Sequence, residues 1–125
     1  MFRSTTDPEL FLKSLKGKKH LIYGNHDSAW MKKVSLSQYF ESVENLMIFS
    51  NGKQKITLCH YPMMSFDGKY LIHGHTHNNK NDIYWQLLRI MENVLNASVE
   101  INNYASVTFD ELVANNVVFK STDHF

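Results

Sequence analysis

At 125 residues, 43% of them hydrophobic, the chain has the size and composition of one ordinary domain with enough apolar residues to bury a core. Its 13 basic and 12 acidic residues leave a formal net charge of +1, which excludes a whole-molecule field that would draw nucleic acid or an anionic membrane. A lone cysteine, Cys59, excludes an internal disulfide and a thiolate metal cluster from one chain, and it fits a reduced, cytoplasmic setting.

No apolar run is long enough to span a membrane, and the first residues, with Arg3, Asp7 and Glu9, do not read as a secretory signal. The first element is a helix opening at Thr5-Thr6-Asp7-Pro8-Glu9-Leu10: Thr6 or Asp7 caps it, Pro8 suits its first turn and Glu9 the positive end of its dipole. Leu10, Phe11, Leu12 and Leu15 give it an apolar stripe, and Gly17 stops it. Residues 19–23 follow as a short strand running into Gly24-Asn25-His26-Asp27, a polar turn at a strand's carboxyl end, where open α/β sheets place ligands.

Residues 28–40 suggest one or two short helical turns. Two apolar runs, residues 45–49 and 54–60, flank Ser50-Asn51-Gly52-Lys53, and Asn-Gly between such runs signals a β-hairpin. The second run ends in His60, and Tyr61-Pro62 breaks the strand. After a turn at Asp67-Gly68, the apolar Tyr70-Leu71-Ile72 leads into His73-Gly74-His75-Thr76-His77-Asn78. Residues 84–90 fit either a helix or a lid segment, residues 94–101 a strand, and residues 108–113 a terminal helix with Glu111 three positions after a capping Thr108. No repeat or linker divides the chain, so the expectation is one domain over residues 1–125.

Alternate residues of an extended chain share a face, so His73, His75 and His77 could aim three imidazoles one way, unless Gly74 turns the backbone and splits the set. A polar loop with solvated histidines is the plainer reading of that stretch taken alone. What shifts the balance is repetition: Asn25-His26-Asp27, His60, His75 and His77 each follow an apolar strand directly. Imidazole with amide or carboxylate oxygen suits Zn, Mn, Fe or Co ions. Trp30, Tyr84 and Trp85 fit either core packing or the wall of a cleft, and Cys59 fits packing within the sheet.

The order Gly24-Asn25-His26-Asp27, a strand ending in His60-Tyr61-Pro62, and Gly74-His75-Thr76-His77 resembles the C-terminal half of the calcineurin-like metallophosphoesterases. Lys16-Gly17-Lys18-Lys19-His20-Leu21-Ile22, Leu95-Asn96-Ala97-Ser98-Val99-Glu100 and Thr108-Phe109-Asp110-Glu111-Leu112 extend the resemblance to the small bacterial and phage members. It implies an α/β fold, part of an α-β-β-α sandwich with mixed sheets flanked by helices. It implies that Asn25, His60 and His75 bind one divalent metal and His77 a second, with His26 beside the scissile phosphate and Asp27 orienting His26. In two-metal sites of this general kind the ions lie roughly 3.5–4 Å apart and supply a nucleophile for in-line attack. The implied substrate is a phosphomonoester or phosphodiester, such as a phosphorylated small molecule or a nucleotide.

The family's Asp-x-His and Gly-Asp motifs do not occur before Asn25, and Met1-Phe2-Arg3 resembles the residues just beyond the second of them. The expectation is therefore an amino-terminally truncated phosphoesterase domain, forming a homo-oligomer or completed by an N-terminal polypeptide. The alternative is a non-catalytic module in which His60, His75 and His77 hold one metal for assembly.

Overall fold

The computed structural model describes residues 7–121 and divides into two compact units between Asn45 and Leu46. Both are mixed α/β structure. Thr6 and the residues Met1, Phe2 and Arg3 lie outside the described residues, while Asp7 caps the first helix, α1 (Pro8–Ser14), accepting from the Glu9 N–H at 3.0 Å.

Of the apolar stripe expected on α1, only Leu12 is buried, and Leu10, Phe11 and Leu15 are exposed. The strand after it, β1 (His20–Ile22), pairs in parallel with β2 (Ser42–Glu44), in the register His20↔Ser42, Leu21↔Val43 and Ile22↔Glu44. Ser-Val-Glu carries no apolar run that would announce a strand. It becomes one because it satisfies the backbone N–H and C=O groups of β1. Two single helical turns, α2 (Ser28–Met31) and α3 (Leu36–Tyr39), lie between these strands, as expected for residues 28–40. Leu12, Leu21, Trp30 and Val34 form this unit's core, with Tyr23, Met31, Phe40 and Val43 against them. Trp30 is therefore a core residue.

The second unit is built on a four-stranded mixed sheet in the order β3-β4-β5-β6. The hairpin expected from Asn-Gly is present: β3 (Leu46–Ser50) and β4 (Lys55–Cys59) run antiparallel, closed by the Ser50↔Lys55 pair. Asn51 Oδ1 accepts from the N–H groups of Lys53 and Gln54 at 3.0 and 2.9 Å, which holds the turn. Then β5 (Tyr70–His73) and β6 (Val94–Asn96) add in parallel, each to the strand before it. Gly68 is required where the chain enters β5: its φ is +84°, and a Cβ there would sit 2.5 Å from the Lys55 carbonyl oxygen.

Leu71, Trp85, Leu88 and Val94 form the second core, with Cys59, Met63, Phe66, Met91 and Phe119 packed on it. Residues 84–90 supply only a short helical turn, α4 (Trp85–Leu88), whose Trp85 and Leu88 plug that core while Tyr84 stays exposed. The expected strand over residues 94–101 ends at Asn96. Beyond it Ser98 N–H turns back to Asn96 Oδ1 at 2.9 Å, and Val99–Ile101 forms a 3₁₀ turn.

The terminal helix α5 (Phe109–Ser121) starts with the expected capping box: Thr108 N–H donates to Glu111 Oε1 at 2.9 Å and Glu111 N–H to Thr108 Oγ1 at 3.2 Å. Those bonds hold the Glu111 carboxyl below its usual range. The helix continues beyond residue 113 because its docking face is Leu112, Asn116 and Lys120, one residue per turn. Two of those three bind through hydrogen bonds, so apolar periodicity does not reveal the face. Lys120 Nζ donates to the carbonyls of Met91 and Val94 at 2.7 and 2.5 Å.

Burial holds the Lys120 ammonium down to about 8, against the opposing pull of Glu92. A lysine whose proton leaves more readily in the folded chain stabilises the fold as pH rises from about 8 towards the ordinary lysine value, because over that window the unfolded chain binds more protons. The difference in thermal midpoint between wild type and Lys120→Met should therefore move in favour of wild type across that window. Parallel curves in a pH series of melting scans would refute the assignment. Among the described residues no helix is long and apolar enough to cross a membrane.

Candidate functional site

The carboxyl ends of β4 and β5 meet through the backbone of His60. Its carbonyl accepts from both Gly74 N–H at 3.1 Å and His75 N–H at 2.9 Å, which binds the loop after β5 to the end of β4. This contact brings the two side chains together: His60 Nε2 lies 3.0 Å from His75 Nδ1, with the rings inclined at 73°. Tyr61 packs against both, its ring 5.0 Å from that of His60 and 4.6 Å from that of His75. The pair is partly buried, so its nitrogens are accessible without being fully hydrated.

Gly74 does split the histidine set. His73 remains the last residue of β5 and is buried at 4% exposure. Burial, with the neighbouring Lys120, His60 and His75, pulls its imidazole down to about 4. Its Nδ1 has no hydrogen-bond partner among the described residues. His73 thus packs as a neutral ring beneath the site. After Gly74 the chain turns: His77 N–H donates to the Gly74 carbonyl at 3.3 Å, and His77 takes a left-handed φ of +50°. That conformation is uncommon for a residue with a side chain and needs support from its surroundings.

The support comes from the end of β6 and the residues after it. Asn96 Nδ2 donates to the His77 carbonyl at 2.7 Å, and Ser98 Oγ donates to the Gly74 carbonyl at 3.0 Å. Asn96 is itself held by α5: its N–H donates to Asn116 Oδ1 at 2.7 Å and its carbonyl accepts from Asn116 Nδ2 at 3.0 Å. Asn102 Nδ2 donates to the carbonyls of Asn96 and Ser98 at 3.2 and 2.8 Å. All four of these polar residues are buried, and a buried network with its bonds made specifies one local geometry. Sequence reasoning missed Asn96, Ser98 and Asn116, which were absorbed into a strand and left beyond a helix; Asn and Ser at apolar-flanked positions were the available signal.

Asn25, His26 and Asp27 belong to the first unit, in the turn between β1 and α2. Asn25 and His26 are exposed there, whereas Asp27 is buried. Asp27 Oδ1 accepts from Trp30 Nε1 at 2.8 Å and Oδ2 from Gly24 N–H at 2.7 Å. Burial pushes its carboxyl up, but hydrogen bonding, from Trp30 and Gly24 among others, together with charge leaves it below the usual range. Asp27 ties the turn to Trp30 and the core, and so shapes the backbone that presents Asn25 and His26.

The donor chemistry can be tested against a divalent cation. Two imidazole nitrogens at about 2.1 Å from one ion lie about 3.0 Å apart at the right angle of an octahedral shell and about 3.4 Å apart at the tetrahedral angle; the His60 to His75 separation is 3.0 Å. The same distance also suits a direct N–H···N bond with one ring donating. Among the described residues no group of three His, Cys, Asp or Glu side chains gathers around a possible ion. The fit is therefore to two adjacent positions of a coordination shell.

No family model matches the sequence, and no curated protein does. A solved structure is similar, the protein of unknown function AQ665 from Aquifex aeolicus, at 29% identity with a TM-score of 0.58. The similarity covers 83% of this chain and 64% of that one, so the chain spans less than two thirds of that protein's length. The shared feature is the mixed α/β fold.

Proposed function

We propose that the chain carries the later metal motifs of a calcineurin-like metallophosphoesterase, within a domain of the α-β-β-α sandwich type, and acts as a metal-dependent phosphoesterase. The observation that carries this reading is the His60 and His75 pair. Two residues fifteen apart in sequence, from two different strand ends, direct imidazole nitrogens to within 3.0 Å of each other. In this reading His60 and His75 would hold one divalent ion of the Mn, Fe, Zn or Co class, and His77 would serve a second. Such an ion, when bound, lowers the pKa of a coordinated water to near neutrality.

The chain's own residues supply the remaining chemistry. His26 is exposed on the turn that Asp27 anchors, and an imidazole can donate a hydrogen bond or a proton to a leaving oxygen. His73 is buried as a neutral ring at the end of β5, so it adds no positive charge to repel a cation. The substrate class is a phosphomonoester or phosphodiester, including nucleotides.

A second reading, a metal-binding module that assembles copies of the chain, is favoured by one observation. Strand β3 is an edge of its sheet, and Leu46, Ile48 and Phe49 on it are exposed. Titration calorimetry with Mn²⁺, Co²⁺ and Zn²⁺, beside hydrolysis of aryl phosphate and bis-aryl phosphate, separates the two. Metal binding with metal-dependent release of the aryl alcohol supports the phosphoesterase. Metal binding with a raised mass and no hydrolysis supports the module, and absence of binding overturns both.

A further inference from the structure

His77 is gripped at two points, by the last residue of β6 and by the segment that follows it. Its backbone carbonyl accepts from Asn96 Nδ2 at 2.7 Å, and its ring Nδ1 lies 2.8 Å from Glu100 Oε2 and 3.3 Å from Oε1. The partners are unequally placed: the Glu100 side chain retains 20% of its exposure, the His77 side chain 63%. A carboxylate oxygen in its ionised form can only accept, so at this distance Nδ1 must carry the proton. In the neutral ring Nε2, on the far side, is then the nitrogen with a free lone pair. Histidines that ligate metals are commonly prepared in this way, with a carboxylate on the non-ligating nitrogen fixing tautomer and ring direction.

We infer that Glu100 is a positioning residue that commits His77 to the Nδ1–H tautomer and presents Nε2 as an outward donor, with Asn96 fixing the backbone from which the ring projects. The tautomer assignment stands on the hydrogen-bond geometry alone. That Nε2 then meets a metal rests on the function proposed above. Glu100 lies in the 3₁₀ turn Val99–Ile101, whose backbone bonds do not involve its side chain, so its replacement leaves the segment's fold in place. Asn96 is buried in the network beneath and is left unaltered in the test.

Long-range ¹H–¹⁵N correlation spectra of the metal-free chain, recorded at a pH of about 8.5 where imidazole is neutral, read the tautomer directly. The wild type should show His77 with Nδ1 protonated and Nε2 bare. Glu100→Gln, which keeps an acceptor oxygen, should retain that form, and Glu100→Leu should shift His77 towards the Nε2–H form that free histidine favours in water. Zn²⁺ affinity at the His77 site should fall about 10- to 100-fold in Glu100→Leu and recover largely in Glu100→Gln. An Nε2–H tautomer in the wild type, or spectra unchanged by Glu100→Leu, would overturn the inference. Should the tautomer respond as expected while the wild type binds no metal, the positioning role stands and the proposed function fails.

Discussion

Replacing His75 with alanine should reduce divalent-cation affinity by more than about 100-fold, since even the partners behind a metal's ligands cost 10- to 100-fold when removed. His60→Ala should do the same, because the two nitrogens 3.0 Å apart form one half-shell and neither ring alone offers two positions to an ion. Both side chains are only partly buried, so neither replacement opens a core cavity, and circular dichroism should report an intact fold. His20→Ala is the matched control: its ring is exposed and bonded to Ser42 Oγ at 2.7 Å, and its loss should leave cation affinity unchanged. Any metal-dependent phosphoester hydrolysis should disappear with His75→Ala in parallel with the binding. Calorimetric titration of the three variants decides the matter, and an affinity for His75→Ala equal to that of the wild type would remove the basis of the proposed site.

Leu71→Ala should destabilise the second unit by about 3–4 kcal/mol, within the range for large-to-small changes in a closed core. Leu71 has no exposure and packs with Trp85, Leu88 and Val94. It also lies in an interior strand, opposite Thr57 on β4 and Val94 on β6, so no edge can relax inward to fill the space. The strand it occupies ends at His73, one residue before the loop that carries His75 and His77. Loss of packing at Leu71 should therefore loosen the loop as well as lower the urea midpoint. Leu10→Ala, at a residue 66% exposed, provides the comparison and should change stability by no more than about 0.5 kcal/mol. A measured difference below about 1 kcal/mol for Leu71→Ala would show that the sheet interior tolerates the cavity.

Local chemistry explains which elements could be read in advance. Asp7 before Pro8, Asn51-Gly52 between two apolar runs, and Thr108 three residues before Glu111 are self-contained signals, each satisfied by bonds within a few residues. The elements that escaped are those stabilised from a distance. Strand β2 exists because β1 needs a partner, and α5 runs to Ser121 because Asn116 and Lys120 bond to carbonyls of β6 and the residues before it. Asp27 is adjacent to His26 in sequence, and its bonds to Trp30 Nε1 and Gly24 N–H could not be read from that adjacency.

The candidate site divides along the same line. By itself the sequence determined that histidines follow two apolar strands, and that Gly74 permits a turn among three of them. Only the tertiary structure decided that His60 and His75 converge, that His73 is a buried neutral ring, and that His77 is held by Asn96 and Glu100. The reason is geometric. Spacing along a strand fixes which face a side chain takes, whereas the meeting of two strand ends depends on parallel pairing, which is set by residues far away in the chain.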